Sequence, residues 1–181
     1  MTCDPRRPIA TPSRRTFSGN CSIHPRAAEL LSMLGMRSHP EGGHYVELFR
    51  SEQRVQVLGR NVERSAITTI YFLLAVGEFS RWHRVLADEI WHYHEGDPIE
   101  LLLFEGQELR RLRLGPVARE TRPTIVVPAG TWQAARTLGA YTLAGCTVGA
   151  GFEFADFSLA VDWPEIVTKI ARAGPDLARF I

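Results

Sequence analysis

Between Gly77 and Gly96 the chain sets out, in order, side chains that can do chemistry: Arg81, His83, Glu89, His92, Tyr93 and His94. An imidazole such as His83 titrates near neutral pH and serves as a general base or acid. A carboxylate such as Glu89 can hold an imidazole's tautomer and stabilise its charged form. Arg81 suits a carboxylate, a phosphate or a developing enolate, and Tyr93 is a candidate proton donor. Further along, Gln133 offers a neutral hydrogen-bonding contact, and Trp91 and Trp132 offer faces on which a ligand can stack. The candidate catalytic set is therefore His83, Glu89 and Tyr93, and the candidate substrate-binding set is Arg81, Trp91, Trp132 and Gln133.

Side-chain alternation along a strand assigns faces. If His83 points inward, so do Arg81 and Val85, while Trp82 and Arg84 point out. Past the turn at Leu86-Ala87-Asp88, Glu89 shares a face with Trp91 and Tyr93. His92 and His94 face the other way, unless a bulge near Glu89 reverses the parity.

The elements that must position these groups are strands. From Gly42 to Leu159 short runs rich in β-branched and aromatic residues recur, with turn signals between them such as Gly96-Asp97-Pro98, Glu105-Gly106 and Pro128-Ala129-Gly130. The runs are His44–Ser51, Ala66–Leu74, Phe79–Val85, Ile90–His94, Glu100–Phe104, Leu109–Leu114, Thr124–Val127, Gln133–Thr137, Tyr141–Val148 and Phe157–Val161. No helical pattern interleaves them, which implies an all-β sandwich or barrel and excludes a parallel α/β sheet.

Two short helices flank the strands. Ala27, Leu30, Leu31 and Leu34 form one helical face closed by Gly35. Asp162 and Glu165 have capping-box spacing with Pro164 in the first turn, ahead of Ile166 and Ile170. Residues 1–24 carry Pro, Arg, Ser and Thr without periodicity and read as a disordered tail; residues 25–181 read as a single domain. Glu41-Gly42-Gly43 implies a tight turn or a close backbone approach, to a ligand or to a neighbouring strand. Gly149-Ala150-Gly151 and Phe152-Glu153-Phe154 read as a turn with an aromatic plug, leaving Glu153 and Asp156 solvated or capping.

The net charge of +1 over 181 residues argues against a nucleic-acid surface. No apolar stretch approaches the ~20 residues that cross a bilayer. Ser13-Arg14-Arg15-Thr16-Phe17 has the start of an export signal but no apolar segment after it. Three cysteines, Cys3, Cys21 and Cys146, show no metal or paired spacing, consistent with a cytoplasmic location. Cys146, in an apolar run, reads as a small buried hydrophobe.

Gly77-x5-His83-x-Val85-x3-Glu89-x6-Gly96, followed by Pro128-x-Gly130-x2-Gln133, resembles the paired motifs of the cupin superfamily. His39-Pro40-Glu41-Gly42-Gly43, the segments around His83 and Trp91, Val127-Pro128-Ala129-Gly130-Thr131-Trp132 and Gly151–Phe157 carry the likeness further, to the Cupin_5 branch, from about Leu30 to Ala160. The resemblance implies a double-stranded β-helix, a jelly-roll cupin barrel, with short N- and C-terminal helices. It also implies a homodimer, to which outward-facing Trp82, Arg84, His92 and His94 would contribute. It carries no settled activity.

In metal-binding cupins the two motifs supply three His and a Glu. Here Val85 and Gln133 replace two of the His, leaving His83 and Glu89, fewer than the three protein ligands of catalytic zinc or non-haem iron sites. No cofactor is expected beyond a weakly bound divalent metal on His83 and Glu89. Three readings stay open: a metal-independent epimerase or isomerase acting on a sugar-like or carbonyl-containing substrate with His83 as base, by analogy with deoxysugar epimerases; a metal-dependent oxygenase or isomerase; and a non-catalytic binder or sensor of an unknown small molecule.

Overall fold

The computed structural model describes residues 23–181. Up to residue 22, the tail, with Cys3, Cys21 and the arginine pair, lies outside the described residues. A helix, α1 (Pro25–Met33), comes first; His24 caps it by accepting the Arg26 N–H on Nδ1 at 3.2 Å, and Gly35 follows it at φ +62°. The strands then run β1 (Arg37–Ser38), β2 (His44–Arg50), β3 (Arg54–Val57), β4 (Val62–Ser65), β5 (Thr68–Ala75), β6 (Ser80–Val85), β7 (Asp88–Gly96), β8 (Ile99–Glu105), β9 (Glu108–Leu114), β10 (Thr124–Val127), β11 (Trp132–Thr137), β12 (Tyr141–Gly149) and β13 (Phe157–Leu159). A second helix, α2 (Pro164–Ala173), and a 3₁₀ turn over Pro175–Phe180 follow.

Two antiparallel sheets face each other, ordered β1-β2-β5-β12-β7-β10 and β13-β6-β11-β8-β9. This is the jelly-roll arrangement, in which strands distant in sequence pair within each sheet and the connections cross between the sheets. Between the sheets lies a core of Phe72, Leu74, Trp91, Leu101, Leu103 and Cys146. The outer face of each sheet is also covered. The α1 side chains Ala27 and Leu30 pack on Leu73, Tyr141 and Leu143. On the other side Ile170, Leu177 and Phe180 pack on Trp82, Leu102, Phe104 and Trp132. Burial on both faces explains why Leu101–Phe104 is apolar without alternation.

This coverage changes one expectation. Trp82 does point away from the inter-sheet core, but the C-terminal turn covers it, and its Nε1–H donates to Leu177 O at 3.1 Å. Arg84 lies over the rings of Trp132 and Trp163, at 4.9 and 4.4 Å from their centroids. Trp82 is thus covered within the chain, while Arg84 stays partly exposed. The capping role expected of Asp162 also fails: it ends a short 3₁₀ turn, and Trp163 is the N-cap, with no side-chain cap bond. Among the described residues no helix is long and apolar enough to cross a membrane.

Candidate functional site

The site begins with a bend in the chain. Gly42 and Gly43 have φ of +110° and +66°, and a Cβ on Gly42 would lie 2.1 Å from Phe79 O. Only glycine permits that approach, so the partner of this close approach is the chain's own backbone. Arg81 N–H donates to Glu41 O at 2.8 Å and His39 N–H to Gly43 O at 3.0 Å. The tightened loop brings His39 and Glu41 inside the barrel beside His83 on β6 and Glu89 on β7.

These four residues line a cavity of about 290 Å³. Val85, Ile70, Phe72 and Cys146 form apolar wall, while Arg37, Tyr45, Arg50, Phe152 and Phe154 surround the approach. Phe157 stacks on His83, ring centroids 5.5 Å apart. The aromatic segment after β12 is thus a wall of the cavity as well as core packing. Glu153 pairs with Arg50 at 2.9 Å. Asp156, expected to be solvated or capping, is instead 3% exposed and held by Arg60 and Arg64.

His83 is 2% exposed, and its Nδ1–H donates to Arg81 O at 2.8 Å. A carbonyl only accepts, so Nδ1 carries the proton and Nε2 presents its lone pair. Nε2 lies 3.3 Å from Glu41 Oε2. The tautomer is therefore fixed by backbone and not by Glu89, which makes no hydrogen bond or ion pair with His83. Glu89 instead accepts from Gln133 Nε2 at 2.6 Å, and Gln133 Oε1 accepts from Trp91 Nε1–H at 3.0 Å.

Burial dominates the electrostatics. It holds His83 and His39 below their usual 6.5, against the pull of the Glu89 charge on His83 and of Glu41 on His39. It also raises Glu41 and Glu89 above the usual 4.5. The His–Glu contacts at 3.3 Å have the distances of ion pairs, and desolvation shifts both partners toward their neutral forms. Cys146, also buried, is raised for the same reason and is inert as a nucleophile.

Of the residues singled out in the sequence, His83 and Glu89 reach the cavity, and Gln133 and Trp91 stand behind Glu89 as its support. Arg81, Tyr93 and Trp132 lie elsewhere. The pairing of β11 with β6 matches Gln133 to His83 but Ala135 to Ser80, so β6 carries an extra residue between them. That bulge reverses the parity: Ser80 joins His83, while the Arg81 guanidinium donates to Pro40 O and Glu41 O. Tyr93 shares the Glu89 face as expected but donates to Gly96 O at 2.6 Å. Trp132 packs beneath the C-terminal helix. His39 and Glu41 were not singled out, although the double glycine beside them marked the bend that brings them in.

Cupin folds commonly hold a metal, and the donors here do not fit one. Gln133 spends both amide groups on Glu89 and Trp91, and Val85 cannot ligate. Glu89 is turned to Gln133, and His83 Nε2 faces Glu41. Among the described residues, no three His, Cys, Asp or Glu side chains are grouped as a metal site.

The Cupin_5 model, described as Cupin superfamily (DUF985), matches residues 28–160. The chain belongs to the Cupin_5 family. Two solved structures agree with that membership. A hypothetical protein from Leishmania major is 30% identical, with a TM-score of 0.69, covering 77% of this chain and 93% of its own. A Shewanella oneidensis protein is 34% identical, with a TM-score of 0.66, covering 74% and 83%. Oxalate decarboxylase from Bacillus subtilis, at 13% identity, a TM-score of 0.51 and coverage of 75% and 33%, shares the fold alone. No curated protein matches the chain. For this Cupin_5 member, function must be argued from the cavity.

Proposed function

We propose that this cupin binds a small carbonyl compound, sugar-like in character, and isomerises or epimerises it without a metal, using His83 as general base. One observation carries the reading: a neutral imidazole in the cavity lining whose Nδ1–H is tied to backbone, so that Nε2, beside Glu41, carries the basic lone pair. A base lowered from its usual 6.5 stays unprotonated at neutral pH, as proton abstraction next to a carbonyl requires. The cavity, about 290 Å³, lies at the small end of ligand sites. It suits a molecule of monosaccharide size or less; a nucleotide attached to such a sugar would have to stay outside.

The test is solvent deuterium incorporation. Small aldehydes, ketones and hydroxy-carbonyl compounds that raise the melting temperature are incubated with the protein in heavy water and followed by proton NMR. The reading predicts loss of a signal next to the carbonyl with wild type and none with His83→Asn. Binding without any exchange would instead favour a pure binder, since a bound ligand would be recovered unchanged.

A further inference from the structure

With Tyr93 and Arg81 turned away from the cavity, the proposed reaction has a base and lacks a proton donor for the carbonyl oxygen. We propose that Glu41 is that donor, and that it works with His83 as a neutral acid–base pair on an α-hydroxy aldehyde or ketone. The inference rests on the reading of His83 as a base.

Hydrogen bonds around Glu41 place its proton. Oε1 accepts from the Ser80 hydroxyl at 2.8 Å. Oε2 lies 3.3 Å from His83 Nε2, a lone pair, because Nδ1 carries that ring's proton. It lies equally 3.3 Å from His39 Nδ1, which is itself an acceptor because the Glu41 N–H donates to it. An ionised Oε2 would face two acceptor nitrogens with nothing to share, whereas a protonated Oε2 satisfies one of them, and a proton shared with His39 Nδ1 leaves the His83 Nε2 lone pair for substrate. Other groups act on Glu41 from the surrounding elements. His39, the Ser80 hydroxyl and Arg81 on β6 favour ionisation; burial outweighs them, and Glu89 on β7 acts in the same direction as burial. The carboxyl is buried in the cavity lining, at 6% exposure.

The chemistry balances on these two groups. His83 Nε2 takes the proton from the hydroxyl-bearing carbon, and that C–H pair becomes the C=C bond. The carbonyl π pair moves to oxygen, which takes the proton of Glu41 and gives an enediol. Imidazolium and carboxylate now face each other as an ion pair. His83 returns its proton to the former carbonyl carbon, the other enediol oxygen returns its proton to Glu41, and both groups are restored.

Isotope-edited infrared difference spectroscopy on ¹³C-glutamate protein tests the protonation state without turnover. At neutral pH, wild type minus Glu41→Gln should show the carbonyl stretch of a protonated acid. In Ser80→Ala, which keeps Glu41 but frees Oε1, that stretch should move to higher frequency. A difference spectrum containing only ionised-carboxylate bands, or no movement in Ser80→Ala, overturns the proposal whether or not His83 is a base. In the deuterium assay, Glu41→Gln should slow exchange about 100-fold or more; exchange within twofold of wild type overturns the donor role. If wild type exchanges nothing, it is the His83 reading that fails, and the infrared result still judges Glu41.

Discussion

Removing one buried carboxylate should loosen the aromatic wall of the cavity. Asp156 ends the 3₁₀ turn that begins at Phe154, and accepts from Arg64 Nε at 2.8 Å, Arg64 Nη2 at 3.0 Å and Arg60 Nη2. It thereby ties the β3–β4 hairpin to the segment carrying Phe152 and Phe154. Arg64, then Arg60, holds its carboxyl at about 2, below the usual 3.8. One unit is worth about 1.4 kcal/mol, so the depression corresponds to ~2.4 kcal/mol at neutral pH. The two guanidiniums cover the carboxyl's own surface, but little other protein surrounds it and the Arg60 side chain is 30% exposed. Solvent screening therefore brings our expectation for Asp156→Asn to about 1.5–2 kcal/mol, a fall in melting temperature of about 3–8 °C. Because the folded-state pKa is depressed, this stability is present above 3.8 and is lost as pH falls through about 2. Urea unfolding of wild type and variant, at neutral pH and at several acidic pH values, reads both features. A neutral-pH difference below about 0.5 kcal/mol, typical of surface pairs, or one that does not narrow in acid, would refute the reasoning.

Glu89→Gln should gain on wild type as pH rises. Burial raises the Glu89 folded-state pKa, so its contribution is complete below 4.5 and is lost as pH climbs through the raised value; melting temperatures of both proteins from acid to alkaline pH check this, and a constant difference would contradict it. Gly43→Ala should cost about 1–3 kcal/mol, because its φ is +66° and a Cβ would sit 2.7 Å from Leu74 Cδ2 and 2.8 Å from Leu73 O. Gly59→Ala is the control, with φ +79° but nothing within 4 Å; urea denaturation showing equal losses for both would mean that crowding at Gly43 does not matter.

The strands of the two sheets, apart from the two-residue β1, were legible because turn residues punctuate them and one or both faces are apolar. Residues 54–65 were not legible as strands, since the β3–β4 hairpin is mostly exposed and its arms carry no alternating pattern. At the site, alternation placed Glu89, Trp91 and Tyr93 on one face of β7, which runs evenly along that stretch. It misplaced Arg81 because a one-residue bulge leaves no mark in the sequence. His39 and Glu41 enter from a loop, where no periodicity applies. Position on the right face also proved insufficient for Tyr93, whose hydroxyl finds a backbone carbonyl before it reaches the cavity.

The proposed chemistry depends on the protonation state of a single imidazole. ¹⁵N NMR of histidine-labelled protein, with the His83 signals assigned through His83→Asn, reads it directly. The expected result is a proton on Nδ1, a bare lone pair on Nε2, and a ring that stays neutral as pH falls below the usual 6.5. A His83 ring protonated on both nitrogens at neutral pH, or carrying its proton on Nε2 alone, would contradict it.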